Sequence, residues 1–177
     1  MGKRSNFKKM KNDDYPTPPG RAVTTLLPFI TDIHYFAEPC AGLKRSLVID
    51  LESRGKCCSF QADIVDPEPF DFMTLTKNHI KTSEAIITNP PWTRSVLHPF
   101  ILRCIELDIQ TWLLFDADWM HTNQAYEFLM YCSDIVSIGR LKWIPGSKYQ
   151  SKDNCCWYRF QRDITETAYH GRTPGRD

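Results

Sequence analysis

The sequence lacks the features that would assign the protein to a membrane or to the secretory route. None of the apolar runs in its 177 residues approaches the roughly 18–20 residues that a membrane-spanning helix needs. The basic segment at the N-terminus is not followed by an apolar stretch, which argues against a secretory signal. We therefore expect a cytoplasmic protein with no membrane partner.

The seven cysteines lack the spacing of a metal site. There is no Cys-x-x-Cys pair and no Cys/His cluster with the separations that zinc requires. The adjacent Cys57 and Cys58 point to opposite faces of a strand, so they cannot easily hold one ion together. We expect buried, reduced thiols and no metal.

The chain also lacks an excess of charge, because 22 Lys and Arg balance 21 Asp and Glu to leave +1. Basic residues are nevertheless concentrated in two places, an arm at residues 1–12 and a segment at 140–154 that also carries aromatic rings. Cations bind phosphates and flat rings stack on bases, so both places are candidate nucleic-acid contacts. The alternative is a solvated tail and a solvated loop. The candidates in the second segment are Arg140, Lys142, Lys148, Tyr149 and Lys152.

What the sequence does have is an alternation of strand and helix patterns. Strands are predicted near residues 33–39, 56–64, 84–89 and 111–118, with helices at 21–31, 43–55, 95–108 and 122–132 between or before them. Two late strands, in 134–143 and 156–163, have no helix between them and predict an antiparallel edge. The order predicts an α/β domain at 15–163 with a mostly parallel sheet and helices on both faces. Residues 1–14 are expected to form a flexible basic arm and residues 164–177 a flexible tail.

Ligands of such sheets bind beyond the carboxyl ends of the strands, where several candidate residues lie. Ala41 and Gly42 are small and would let a ligand approach the backbone closely. Asp63 could accept hydrogen bonds from a ribose diol, and Asp71 with Phe72 offers a carboxylate beside an aromatic face for an adenine ring. Taken singly, each acid is better explained as a solvated loop residue and Phe72 as a core residue.

The segment Asn89-Pro90-Pro91-Trp92 directly follows a short apolar strand. Proline cannot continue a sheet ladder, so this position predicts a rigid corner at the ligand edge. The Asn89 amide and a proline-fixed carbonyl can accept the two hydrogens of a planar amine, while the Trp92 face can stack on the ring that bears it. Such a corner would favour the reactive, pyramidal nitrogen through fixed dipoles and positioning rather than through a strong base.

The motifs "YPTP", "EPCAG", "ADI", "DF" and "TNPPW", in this order, resemble those of class I S-adenosylmethionine-dependent methyltransferases. The chain is most similar to the small phage-type DNA adenine N6-methyltransferases, over roughly residues 14–162. The resemblance implies a Rossmann-like fold with a mostly parallel seven-stranded sheet, an antiparallel edge hairpin and helices on both faces. It also implies methyl transfer to N6 of an adenine flipped out of duplex DNA, in a bacterial host's cytoplasm if a phage encodes the chain.

The resemblance assigns roles to individual residues. The tetrad Asn89, Pro90, Pro91 and Trp92 would hold the target base, and S-adenosylmethionine would be held by residues from four segments. These cofactor residues are Tyr15, Thr17, Pro18, Glu38, Pro39, Cys40, Ala41, Gly42, Asp63, Ile64, Asp71 and Phe72.

The sequence departs from the family at Lys44, where a second glycine is common, and it has no long insertion for target recognition. The recognition surface would then be the basic 140–154 segment and the N-terminal arm. Two alternatives remain open: methylation of an RNA base or a protein glutamine amide, and a nucleic-acid-binding relic of the fold without activity. The oligomeric state, monomer or homodimer, is not determined by the sequence.

Overall fold

One seven-stranded sheet organises the chain. The structure is a computed structural model that describes residues 15–144, 146 and 151–172. The strands are β1 Tyr35–Glu38, β2 Cys57–Gln61, β3 Ala85–Thr88, β4 Thr111–Asp116, β5 Cys132–Arg140, β6 Asn154–Phe160 and β7 Ala168–His170. Their spatial order is β2-β1-β3-β4-β6-β5-β7.

The sheet is mostly parallel, as the sequence predicts. Strands β2, β1, β3 and β4 run the same way. Strand β6 is antiparallel to both β4 and β5, so β5 again runs with the first four, and β7 is parallel to β5. The antiparallel strand therefore lies inside the sheet, between β4 and β5, rather than at its edge.

Helices cover both faces of the sheet, which confirms the predicted layering. They are α1 Arg21–Leu26, α2 Ser46–Glu52, α3 Arg94–Leu107 and α4 Tyr126–Leu129. Two buried clusters result, one formed with α1 and α2 and the other with α3 and α4. All four residues of β3 are buried, which explains why its sequence is a continuous apolar run rather than an alternating one.

Two segments differ from the sequence-based prediction. The helix expected from residue 122 is reduced to a 3-10 turn at Asn123–Ala125 and the single turn of α4, because β5 begins at Cys132. Residues 168–170 lie in the expected flexible tail, yet they form β7 beside β5. The expected arm, residues 1–14, lies outside the described residues.

The expectation of buried thiols is confirmed for four of the seven cysteines. All seven are free, but Cys57 is exposed, and Cys40 and Cys58 are only partly buried. Burial raises the pKa of the Cys104 thiol to about 12, so this sulfur stays protonated and behaves as an apolar core group. Within the described ranges, no helix combines the length and the apolar content needed to cross a bilayer.

Candidate active site

The loops that follow β1 and β2 are joined into one cradle at the carboxyl edge of the sheet. The Ala41 N–H donates to the Ala62 carbonyl over 3.1 Å, extending the pairing of the two strands beyond their ends. The Gly42 N–H donates to Asp63 Oδ2 over 2.7 Å, and Asp63 Oδ1 accepts the Val65 N–H over 3.0 Å. Gly42 has φ +60°, a conformation that glycine adopts at little cost. Asp63, predicted to bind a ribose, thus also locks the two loops together.

Glu38, the last residue of β1, is a buried acid at the base of this cradle. Its side chain is 1% exposed. Oε1 accepts the Thr88 hydroxyl over 2.5 Å and the Cys40 N–H over 3.3 Å. Oε2 is also buried and has no partner among the described residues. Burial raises the pKa of Glu38 to about 8, against the smaller lowering effects of these two hydrogen bonds.

An unpartnered buried carboxyl oxygen is costly, which makes Glu38 a candidate for contact with a ligand group. A buried acceptor without a partner destabilises the fold by about 1–3 kcal/mol, and by more if it is charged. A hydroxyl or an ammonium group from a ligand would satisfy Oε2, and an ammonium group would also lower the pKa of Glu38 by stabilising its charged form. The cradle therefore fits a ligand that carries such a donor.

The tetrad forms a rigid corner next to the cradle. Asn89 follows Thr88, which is bonded to Glu38, so the corner and the acid are linked through one residue. Asn89 Nδ2 donates to the Tyr15 carbonyl over 3.1 Å, and Asn89 Oδ1 accepts the Trp92 Nε1–H over 3.1 Å. The amide is therefore fixed at both ends, and its oxygen keeps a second lone pair for a ligand hydrogen.

Trp92 is held by its edge. Besides Asn89, its Nε1–H donates to the Leu114 carbonyl over 3.2 Å, which ties the corner to β4. The indole makes a T-shaped contact with Trp143, with ring centroids 5.4 Å apart. Trp92 remains only partly buried and touches the clusters on both faces of the sheet. It is thus a rigid aromatic plate at the carboxyl edge.

The "YPTP" segment lies against the corner. Its backbone contacts Asn89 through the Tyr15 carbonyl. Thr17 is 5% exposed, and Pro18 is partly exposed. The segment leads into α1, whose neighbouring residue Gly20 donates its N–H to Asp50 Oδ2 over 2.7 Å, so contacts at both ends hold it in place.

The remaining candidates for the cofactor site are less directly placed. Phe72 is 6% exposed and stacks on Phe100 with ring centroids 3.4 Å apart, so one of its faces belongs to the core and cannot meet an adenine. Asp71 Oδ1 accepts the Met73 N–H over 2.9 Å, capping a 3-10 turn. Ile64 is 61% exposed beside Asp63. Pro39 is buried, and burial raises the pKa of the Cys40 thiol well above its usual range.

The basic segment lies at the same edge as the corner. Arg140 ends β5 opposite Asn154 of β6, and the Ser151 N–H donates to the Leu141 carbonyl over 2.9 Å. Lys142 and Lys152 are exposed on the two sides of this hairpin mouth. Lys148 and Tyr149 lie outside the described residues.

Two residues that matter to the geometry do not stand out as candidates in the sequence. Thr88 links Glu38 to the corner, and its signal is a polar residue that ends a fully buried apolar strand. The carbonyl of Leu114 holds Trp92, and a backbone acceptor leaves no sequence signal. A separate cleft of about 240 Å³ is lined by Asp108 and Arg162 near the amino end of β4.

Comparisons with known proteins support the fold. No family model matches the chain, and no curated protein matches it. A solved structure described as a candidate RNA methyltransferase from Pyrococcus horikoshii shares 19% identity with a TM-score of 0.53, over 90% of this chain and 93% of that one. A candidate class I S-adenosylmethionine-dependent methyltransferase from Listeria monocytogenes shares 10% identity with a TM-score of 0.52, over 84% of this chain and 62% of that one. The fold is therefore the Rossmann-like fold of class I methyltransferases.

Proposed function

We propose that the protein transfers a methyl group from S-adenosylmethionine to the exocyclic N6 amine of adenine in DNA. The observation that carries this proposal is the contact chain from Glu38 through Thr88 to Asn89 and Trp92. It joins a cradle with one unfilled acceptor to a corner with a fixed amide oxygen and an indole plate. A methyl donor and a planar amine need those two environments side by side.

The residues of the cradle fit S-adenosylmethionine. The cofactor, when bound, supplies a methyl group on a positively charged sulfur. Its ammonium group and ribose hydroxyls are the kind of donors that the unpartnered Glu38 Oε2 and the spare lone pairs of Asp63 can accept. Gly42, with its positive φ and no side chain, leaves the backbone of the turn open to close approach.

The corner offers an acceptor for each of the two hydrogens of the target amine. The lone pair of an exocyclic amine is shared with its ring, which makes the nitrogen a weak nucleophile. Asn89 Oδ1 and the Pro90 carbonyl would each accept one amine hydrogen, which draws the nitrogen towards a pyramidal geometry with an available lone pair. Because the Asn89 amide is held at both ends before substrate binds, this acceptor needs no reorganisation at the moment of transfer.

Adenine in nucleic acid is the acceptor that best matches the surroundings of the corner. A base would have to leave the duplex at a cost of a few kcal/mol and would stack on Trp92 in return. Arg140, Lys142 and Lys152 at the same edge supply charge for the backbone. This basic and aromatic edge argues against a protein glutamine as the substrate.

Methylation of an adenine in RNA is the second candidate. The chain spans nearly all of the Pyrococcus horikoshii structure, which is described as a candidate RNA methyltransferase. An unpaired base in RNA would reach the corner without the cost of opening a duplex. The amine chemistry would be unchanged.

Label transfer separates these possibilities. Purified protein is incubated with methyl-labelled S-adenosylmethionine and, in separate reactions, duplex DNA, single-stranded DNA, RNA and a protein extract. Digestion to nucleosides and mass spectrometry then identify the product. We expect N6-methyladenine from DNA, whereas the same nucleoside from RNA alone would support the second candidate. Bound cofactor with no labelled adenine in any nucleic acid would refute the proposed function.

A further inference from the structure

The C-terminal strand β7 places one more cation at the carboxyl edge of the sheet. Since β7 is parallel to β5, both strands run towards the same edge of the sheet. The pairing ends with His170 opposite Val136. The following Gly171 and Arg172 therefore continue beside the last residues of β5. This edge is the one that carries Arg140 and the corner.

Specific polar contacts, rather than apolar burial, hold β7 in register. Tyr169, at its centre, is 61% exposed. His170 Nε2 lies 2.9 Å from Asp134 Oδ1, and the Thr167 hydroxyl donates to the Cys132 carbonyl over 2.7 Å. The His170 ring also packs on Phe29, with centroids 4.6 Å apart. We call the His170–Asp134 contact the β7 clamp.

The side chain of Arg172 lies over the backbone of Gly139. Its Cδ, Nε and Nη1 atoms are 3.3–3.4 Å from the position that a Cβ of Gly139 would occupy. Gly139 has φ +84° and lies at a bulge of β5, so both its conformation and its missing side chain admit the arginine. The guanidinium is thereby positioned beside the residue that precedes Arg140.

The hairpin mouth and the end of β7 together form a basic edge. The described residues 139–144, 151–154 and 170–172 carry four basic side chains and one acid, Asp153. The basic residues are Arg140, Lys142, Lys152 and Arg172. Trp143 belongs to the same segment and contacts Trp92, so this edge is continuous with the corner.

We propose that Arg172 binds a backbone phosphate of the nucleic acid whose base enters the corner. The inference rests on the proposed function and extends its binding surface to the C-terminal strand. A guanidinium donates several hydrogen bonds in a fixed plane and suits a phosphate. Contacts to phosphates set the position and orientation of the substrate rather than its sequence, so Arg172 is a positioning residue.

The test measures binding of a fluorescent duplex DNA, and of single-stranded DNA and RNA of the same sequence, over a range of salt concentrations. Arg172→Ala should weaken binding about tenfold at low salt and reduce the slope of log affinity against log salt by about 0.9 for duplex DNA or about 0.7 for a single strand. Arg172→Lys, which keeps the charge, should retain most of the slope.

Arg162→Ala is the matched control, because Arg162 follows β6 at the opposite edge of the sheet and lies 3.8 Å from Asp108. It should leave the slope unchanged. His170→Ala, which breaks the β7 clamp but keeps Arg172, should also weaken binding, and His170→Gln should restore part of it. Thermal unfolding of each variant checks that the domain is folded.

The outcomes separate this inference from the proposed function. If the wild type binds and methylates nucleic acid but Arg172→Ala keeps its affinity and salt slope, the phosphate contact is wrong and the proposed function stands. If the wild type binds no nucleic acid, both fail. A loss in Arg172→Ala that Arg162→Ala reproduces equally would also overturn the inference, because it would reflect overall charge alone.

Discussion

The cradle and the corner differ in how their polar groups are satisfied. On the side of β1, Glu38 Oε2 is buried without a partner among the described residues. On the side of β3, Asn89 uses both ends of its amide, with Tyr15 and with Trp92. The cradle therefore keeps one buried acceptor without a protein partner, whereas the corner is already held by contacts within the protein.

This difference predicts that substitutions in the cradle and in the corner have different effects. Removing a group that a ligand satisfies weakens the binding of that ligand. Removing a group that fixes the geometry around the amine slows the reaction at any concentration of cofactor, because its effect is on the transition state. Variants of Glu38 and Asn89 therefore test whether the cradle and the corner have separate roles.

The largest effect is expected for Asn89→Ala. Loss of one preorganised acceptor at a reacting group reduces turnover by about 10²–10³-fold. The affinity for S-adenosylmethionine should change little, because Asn89 lies outside the cradle. Calorimetry measures the affinity, and label transfer at saturating cofactor measures the turnover.

Asn78→Ala is the control for this substitution, since Asn78 is an exposed amide in the turn before β3. It should affect neither quantity. Normal turnover in Asn89→Ala would remove the amide from the mechanism, and loss of cofactor binding in that variant would abolish the distinction between the cradle and the corner.

Glu38→Gln should weaken cofactor binding by about 10–100-fold, the value of a hydrogen bond to a charged group. Glutamine keeps an oxygen for the Thr88 hydroxyl, so the link to the corner is preserved. Glu106→Gln, on the exposed side of α3, is the matched control. Unchanged affinity measured by calorimetry would show that Glu38 does not meet the cofactor.

The same variant should change how stability depends on pH. The pKa of Glu38, about 8 in the folded protein, lies above its ordinary 4.5. The free energy of unfolding should therefore fall as the pH rises from about 4.5 to about 8, by up to about 1.4 kcal/mol per pH unit. Glu38→Gln should lose this component. Denaturant unfolding at several pH values measures it, and parallel curves for the two proteins would contradict it.

Trp92→Phe should have a smaller effect, because phenylalanine keeps a ring that can stack. It removes the donor shared by Asn89 and Leu114, which should lower the free energy of unfolding by about 1–2 kcal/mol and turnover by a few-fold. Trp143→Phe, which preserves an aromatic contact, is the comparison. Equal losses in both variants would indicate that only ring packing matters at the corner.

The smallest effect concerns the β7 clamp. Burial acts to raise the pKa of Asp134, but hydrogen bonds from His170 and Ser133 and the charge of Arg159 outweigh it and lower the pKa below 3.8. A carboxylate with a lowered pKa contributes stability that is present above about pH 4 and is lost as the pH falls further. The protection factors of the β7 amides, which compare each exchange rate with the intrinsic rate at the same pH, should therefore fall on acidification, and more weakly in Asp134→Asn. Protection factors that stay equally high at low pH would exclude the clamp.

Much of the fold can be predicted from the sequence because its central strands are continuous apolar runs. Strand β3 is fully buried and is therefore predicted from its apolar run. Asn89 and the two prolines that follow it mark where the strand ends. Strand β7 could not be predicted in this way. Its three residues have no apolar pattern, and the groups that hold it, such as Asp134, are distant in sequence.

The candidate site is likewise only partly visible in the sequence. The tetrad can be found because its residue types are unusual after a strand. The role of Phe72 could not be decided, because a ring in an adenine site and a ring in the core look the same until Phe100 is seen to cover it. The unfilled oxygen of Glu38 depends on burial by the whole fold, which no local pattern records.

The most direct test of the roles of the cradle and the corner is a crystal structure of the protein with S-adenosylhomocysteine, the demethylated cofactor. We expect the ammonium group of the bound molecule to contact Glu38 Oε2 and its sulfur to face the Asn89 amide and the Pro90 carbonyl. A molecule bound in another cleft, or a sulfur directed away from Asn89 and Trp92, would contradict the assignment of the cradle and the corner.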